Sequence, residues 1–182
     1  MARLPFFLLT LGLILALQSP AHAATELAPI GSGSVRYLGL IKVYDATLYA
    51  PLQSSETAIL GAEQSICLQL DYAVDVPSSA FIEAAETILA RQHEPDVLTR
   101  VRPQIDVIHG SYRDVGDGDS YRLCYDDTSG RSRLALNDEI LATVDSAEFA
   151  AIYFGIWLSP DQPLDESLRD DLFAGLKQEI NK

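Results

Sequence analysis

The spacing of apolar residues changes period three times along this chain, and that order fixes its fold class. From Gly31 to Ala50, Val, Tyr, Ile, Leu and Thr alternate with polar residues until Pro51, and Ile66–Tyr72 repeats the pattern. This is strand spacing. After Pro77-Ser78-Ser79, the residues Phe81, Ala84, Ala85, Ile88 and Leu89 recur along one helical face. Pro95 is expected to open a short turn through Val101, and Pro103 to start a separate helix that buries Ile105 and Ile108, because proline is costly deep inside a helix. Strands return at Asp119–Tyr125, Ser132–Leu136 and Glu139–Val144, joined by turns at Asp126–Gly130 and Asn137-Asp138.

Two further helices close the sequence. One runs from Ser146 to Leu158, with a capping box of Asp145 and Glu148 and an inward stripe of Phe149, Ile152, Tyr153, Ile156 and Trp157. Trp157 is expected to be largely buried. The last helix is capped by Asp165 and points Leu168, Leu172, Phe173 and Leu176 inward. Strands, helices, strands, helices give an α+β class with a mainly antiparallel sheet. No repeat or internal linker divides it.

The N-terminal segment does not belong to that pattern. Arg3, the apolar run Leu4–Leu17 and the break at Gln18-Ser19-Pro20 lead to Ala21-His22-Ala23, the layout of a cleavable signal peptide. The run is shorter than the roughly 20 residues that span a bilayer. The expectation is a signal over residues 1–23, a single domain over 24–182, and a soluble periplasmic or secreted protein without stable membrane insertion after cleavage.

Charge and cysteine content narrow the partners. With 13 basic and 26 acidic residues the net charge is -13, which opposes binding to nucleic acid and to anionic surfaces. Export would favour pairing of the two cysteines, Cys67 and Cys124, which both fall on the polar parity of strands. A disulfide and two unpaired cysteines on separate strands both fit. These cysteines with His93 and His109 do not make a metal set, and Asp114, Asp117 and Asp119 read as a turn rather than a calcium loop. No nucleotide, phosphate-loop, serine-elbow or zinc-protease motif is complete, so neither a cofactor nor a metal is expected.

One stretch carries candidate chemistry. If Gly33–Ala50 is one unbroken strand, Arg36, Lys42 and Tyr44 share a face with Leu38, Leu40, Ala46 and Leu48. Charged and phenolic groups on an apolar face must be paired or wet. A cleft in which Arg36 binds an anionic group on an apolar ligand satisfies this, and so does a rim arginine in a salt bridge.

The same stretch, SVRYLGLIKVYDATLYAP, resembles the N-terminal signature of the bacterial chalcone isomerase-like proteins, an arginine followed by a K-V-Y-x-x-x-L-Y strand. Phe154-Gly155-Ile156-Trp157-Leu158-Ser159-Pro160-Asp161-Gln162-Pro163, followed by Glu166-Ser167-Leu168-Arg169, is similar to the family's closing segment, although Ser159 stands where the family favours glycine. Gly118-Asp119 before the next strand matches too. The resemblance implies an open-faced sandwich, a large antiparallel sheet with helices on one face over an apolar cleft. In the plant isomerases an arginine, a threonine, a tyrosine and an asparagine line that cleft and close a chalcone onto its enone. The resemblance puts Arg36, Tyr44, Phe81 and Ile88 at those positions, so two polar groups become hydrocarbon.

Members that keep only the arginine resemble binding proteins, and the plant plastid members are associated with fatty acids. The leading expectation is therefore a non-catalytic binding module for a small apolar anion such as a fatty acid. An intramolecular lyase acting on a chalcone or related enone, and a structural or protein-contact role in the cell envelope, are its rivals.

Overall fold

The computed structural model describes residues 26–179. The expected signal segment and its cleavage point lie outside the described residues. Six strands form one sheet in sequence order, β1 (Ala28–Tyr37), β2 (Ile41–Ala50), β3 (Ile66–Tyr72), β4 (Ser120–Asp126), β5 (Arg131–Leu136) and β6 (Glu139–Asp145), with every neighbouring pair antiparallel. The α+β class and the open antiparallel sheet follow the alternation in the sequence. A short helix α1 (Glu56–Leu60) bridges β2 and β3. Between β3 and β4 the chain leaves the sheet to form α2 (Ser78–Gln92) and α3 (Pro95–His109). After β6 come α4 (Ala147–Leu158), α5 (Glu166–Leu172) and α6 (Ala174–Glu179). No helix among the described residues is long and apolar enough to cross a membrane.

One face of each central strand supplies the core. Tyr121, Leu123 and Tyr125 of β4 are buried in strict alternation, as are Tyr44, Ala46, Leu48 and Ala50 of β2. Helix α4 is buried nearly all round, with Phe149, Ala150, Tyr153, Phe154, Ile156 and Leu158 at or below 2% exposure. A helix apolar on every side must be covered on every side. It is the hub beneath the sheet. Its N-cap is Ser146, whose hydroxyl accepts from the Phe149 N–H at 3.0 Å, one residue later than the expected Asp145.

Two local expectations are corrected. Pro103 does not start a helix. It lies exposed inside the continuous α3, which buries Leu98, Val101, Ile105 and Ile108 on one side. Packing of that stripe outweighs the backbone bond that proline cannot donate. The Gly33–Ala50 stretch is not one strand but a hairpin, turned at Leu38 and Gly39, whose φ values are 50° and 71°. The shared parity of Arg36 and Tyr44 in sequence therefore does not survive as a shared position along one strand.

On the face away from the helices, Cys67 and Cys124 occupy directly opposed positions of β3 and β4 and are joined as a disulfide. At the sheet's first edge, α5 lies against β1 at backbone distance. A Cβ on Gly31 would stand 2.2 Å from the Leu172 carbonyl oxygen, and one on Gly33 2.9 Å from the Asp171 side chain. Those two glycines let the C-terminal helix seal the core beside β2.

Candidate functional site

Between the sheet and the helices lies an apolar cavity of about 100 Å³. The sheet contributes Tyr44, Leu68, Leu70, Tyr72, Tyr121 and Leu123, and Phe81, Ala84 and Ala85 of α2 face them. Ile156 and Trp157 of α4, Leu164 and Tyr112 complete the wall. Phe81, Trp157 and Leu164 are half-buried and Ala84 is exposed, so these side chains mark where the cavity meets solvent.

Its polar equipment is a set of phenols. Tyr44 and Tyr72 are directly opposed on β2 and β3, with ring centroids 5.4 Å apart, edge to face. The Trp157 Nε1–H donates to the Tyr44 hydroxyl oxygen at 3.2 Å, which leaves the Tyr44 O–H free to donate. The Tyr72 hydroxyl has no hydrogen-bond partner among the described residues. Tyr121 is different. Its hydroxyl accepts from the Arg113 N–H at 2.7 Å and donates to the Arg113 carbonyl at 3.0 Å. Tyr112 pairs with Tyr153, hydroxyl to hydroxyl, at 2.9 Å. Phe81 packs on Tyr72, Tyr112 and Tyr121 at centroid distances of 5.3–5.6 Å.

Burial pushes the Tyr44 and Tyr72 phenols well above their ordinary range, with the Trp157 bond opposing the shift at Tyr44. Burial likewise raises Tyr112 to about 12. All three stay neutral donors at physiological pH. Among the described residues no lysine, arginine or histidine lines the cavity wall.

The candidate residues thus separate. Tyr44 and Phe81 line the cavity. Ile88 is 4% exposed in the core of α2 and is not part of the wall. Arg36 is corrected most fully, since the hairpin turn carries it to an exposed position, where its guanidinium donates to the Leu40 carbonyl at 3.5 Å. Lys42 pairs with Asp45 at 2.8 Å, and that bond, with a second from Ser34, holds the Asp45 carboxyl below its ordinary range. Neither cation reaches the cavity. Trp157 is half-buried at the mouth rather than enclosed, because its indole spans from α4 to β2. Asp119 and Asp114, set aside as turn residues, accept backbone bonds from Gly116 and Ser78. Among the described residues no group of acidic, histidine or cysteine side chains could hold a metal.

Tyr72, Tyr112 and Tyr121 were missed from sequence. The signal was available for two of them. Tyr72 and Tyr121 fall on the core parity of strands β3 and β4, and a phenol there raises the same question as Tyr44, where its hydroxyl goes.

An open antiparallel sheet with helices over an apolar, tyrosine-lined cavity defines an α+β open-faced architecture. The chain belongs to the chalcone isomerase-like family, whose model matches residues 18–174. No curated protein matches the sequence. The crystal structure of the Arabidopsis thaliana fatty-acid binding protein AtFAP1 is similar, with a TM-score of 0.65 and 15% identity, over 90% of this chain and 95% of that one. At that identity the likeness carries the fold.

Proposed function

We propose that this protein is a binding module for a small apolar ligand with a hydrogen-bond-accepting head, such as the carboxyl group of a fatty acid. The observation that carries it is the hydrocarbon cavity in which Tyr44 and Tyr72 present two phenol donors and no cation is present. Apolar walls with a few convergent polar groups are the usual composition of a ligand site. That AtFAP1, of similar fold, is a fatty-acid binding protein supports the same reading. Cyclisation of a chalcone asks for a fixed positive charge at the developing oxyanion. Arg36, the group expected to supply it, stands outside on the hairpin. Export to the periplasm or beyond, inferred from residues 1–23, would place this binding module in the cell envelope or outside the cell.

Size limits the ligand. A cavity of about 100 Å³ has room for roughly three or four water-sized groups at about 30 Å³ each, so a short or medium acyl chain that leaves by the mouth matches it better than a long one. The chain has one tryptophan, Trp157, at the cavity mouth. Titration with octanoate should therefore change its emission saturably, and palmitate should bind more weakly. An emission unchanged by any acyl chain would overturn the reading. So would rapid chalcone cyclisation, followed by absorbance, in the presence of the protein.

A further inference from the structure

Seven large apolar side chains stand exposed among the described residues, and four of them are Tyr37, Leu38, Leu40 and Ile41, at 62, 79, 82 and 54% exposure. All four lie at the tip of the β1–β2 hairpin. That tip overhangs the sheet. Strand β3 pairs with β2 only from Tyr44 onward, with one further bond from the Ala73 N–H to the Val43 carbonyl, so residues 36–42 hydrogen-bond only within the hairpin.

The turn itself is costly. Leu38 and Gly39 have positive φ, and the Leu40 N–H closes on the Tyr37 carbonyl at 3.1 Å, the arrangement of a type I′ turn. Asn, Asp or Gly meets that φ with least steric cost, and leucine does not. Leu38 thus sits where its backbone is strained and its side chain buries nothing in the monomer.

The shoulders of the tip are basic. Arg36 and Lys42 are opposed in register, and Asp45 is the one carboxylate beside them. Behind them the hairpin turns polar at Ser34 and Asp45, so the apolar tip does not continue into a surface the size of a stable protein interface.

We infer that this hairpin tip docks on a phospholipid bilayer. Leu38, Leu40 and Ile41 enter the acyl boundary, Tyr37 sits at headgroup level, and Arg36 and Lys42 meet lipid phosphates. The chain's net negative charge does not prevent this. At physiological ionic strength charges beyond about 8 Å are largely screened, so the shoulder cations dominate at contact. The inference rests on the proposed acyl site in one respect. Tyr44, which lines the cavity, follows Ile41 closely on β2, so docking brings the cavity to the source of its ligand.

The test is a probe confined to the tip. Both cysteines of the chain are joined to each other, so Leu40→Cys can be labelled alone with an environment-sensitive fluorophore. On vesicles of phosphatidylcholine and phosphatidylglycerol its emission should shift to the blue and be quenched by shallow spin-labelled lipid. A probe at Ile140→Cys, itself exposed on β6 at the opposite edge of the sheet, should show neither change. Adding Leu38→Asp, which suits positive φ and so spares the fold, should weaken the tip signal about tenfold.

A tip probe that stays unquenched at saturating vesicles would overturn the inference. A blue shift that grows with protein concentration in the absence of lipid would also overturn it, showing that the tip joins copies of the chain. Octanoate titration of the parent protein without vesicles separates the two readings. Octanoate binding by a parent whose tip probe does not dock sinks this inference alone, and docking of the parent without octanoate binding sinks the cavity reading alone.

Discussion

Trp157 on the last turn of α4 and Tyr44 on β2 are joined across the mouth of the cavity by an indole-to-phenol hydrogen bond of 3.2 Å. The bond ties the central helix to the sheet at the mouth of the cavity. It also decides which hydroxyl proton remains for a ligand. Trp157→Phe keeps an aromatic wall and removes the donor. It should lower stability by about 0.5–1.5 kcal/mol in urea melts. It should leave octanoate binding within a few fold, read by calorimetry because the one tryptophan is gone.

Tyr72 provides the opposite case. Its hydroxyl opens on the cavity with no hydrogen-bond partner among the described residues, so removing it costs the folded protein no hydrogen bond. Tyr72→Phe should leave the melting temperature unchanged or slightly raised, yet weaken octanoate by about 0.5–1.5 kcal/mol, the value of a single neutral hydrogen bond. Tyr121→Phe should do the reverse, since that hydroxyl is engaged with both backbone groups of Arg113. A Tyr72→Phe protein that binds octanoate like the parent would show that the carboxyl group does not use this phenol.

Much of the architecture was legible because each central strand has one buried face and α4 is apolar throughout. Tyr121, Leu123 and Tyr125 announce their face by alternation alone. The site was less legible, and Arg36 shows why. Period-two parity holds only while a strand continues, and nothing polar interrupts Tyr37-Leu38-Gly39-Leu40-Ile41 to mark a turn. A type I′ turn usually carries Asn or Asp at its first central position. Here that position is Leu38, so the strongest hairpin signal was missing and Arg36 was carried to the wrong place. Tyr112 was illegible for another reason. It follows the end of α3, where no period applies, and only tertiary packing brings it to Tyr153 and Phe81.

The disulfide joins neighbouring strands but is distant in sequence, 57 residues apart. Closing a loop of that length restricts the unfolded chain, and its loss should cost about 2–4 kcal/mol. The loop contains α3 and α2, whose Phe81, Ala84 and Ala85 line the cavity. Reduction by dithiothreitol, or Cys67→Ala with Cys124→Ala, should lower the melting temperature by several degrees. Octanoate binding at low temperature should persist, because the bridge lies on the face of the sheet away from the cavity. Loss of binding while circular dichroism stays native would contradict that separation.

Gly31 is a packing requirement. Its missing side chain is the space occupied by the Leu172 carbonyl, and backbone yields less readily than a side-chain end. Gly31→Ala should therefore destabilise by about 1–3 kcal/mol through overpacking. Gly155→Ala makes a fair comparison. It is buried, but its added methyl would meet Gln92 at an ordinary 3.6 Å. That change should be neutral or stabilising, since alanine favours a helix interior over glycine by about 1 kcal/mol. Equal urea midpoints for the two variants would show that α5 does not press on β1 as described.

His109 sets a pH dependence whose sign follows from burial. It lies 8% exposed at the end of α3, stacked on Tyr112 and tilted against Tyr153, with Glu86 3.3 Å away and Arg102 and Asp106 nearby. Burial lowers its pKa below the ordinary 6.5, and the attraction of Glu86 offsets only part of that. His93 is shifted the same way by burial. The unfolded chain then binds protons near pH 6.5 that the folded chain does not, so stability rises with pH through this window. It is fully present above 6.5 and is lost as pH falls from there toward the depressed folded value. Urea midpoints should drop between pH 7 and pH 5.5, before the carboxylates Asp45 and Glu86, held below their ordinary range by ion pairs, begin to contribute. His109→Gln should flatten that drop, leaving the smaller part due to His93. A His109→Gln protein whose midpoint falls as steeply as the parent's would assign the acid sensitivity to other groups.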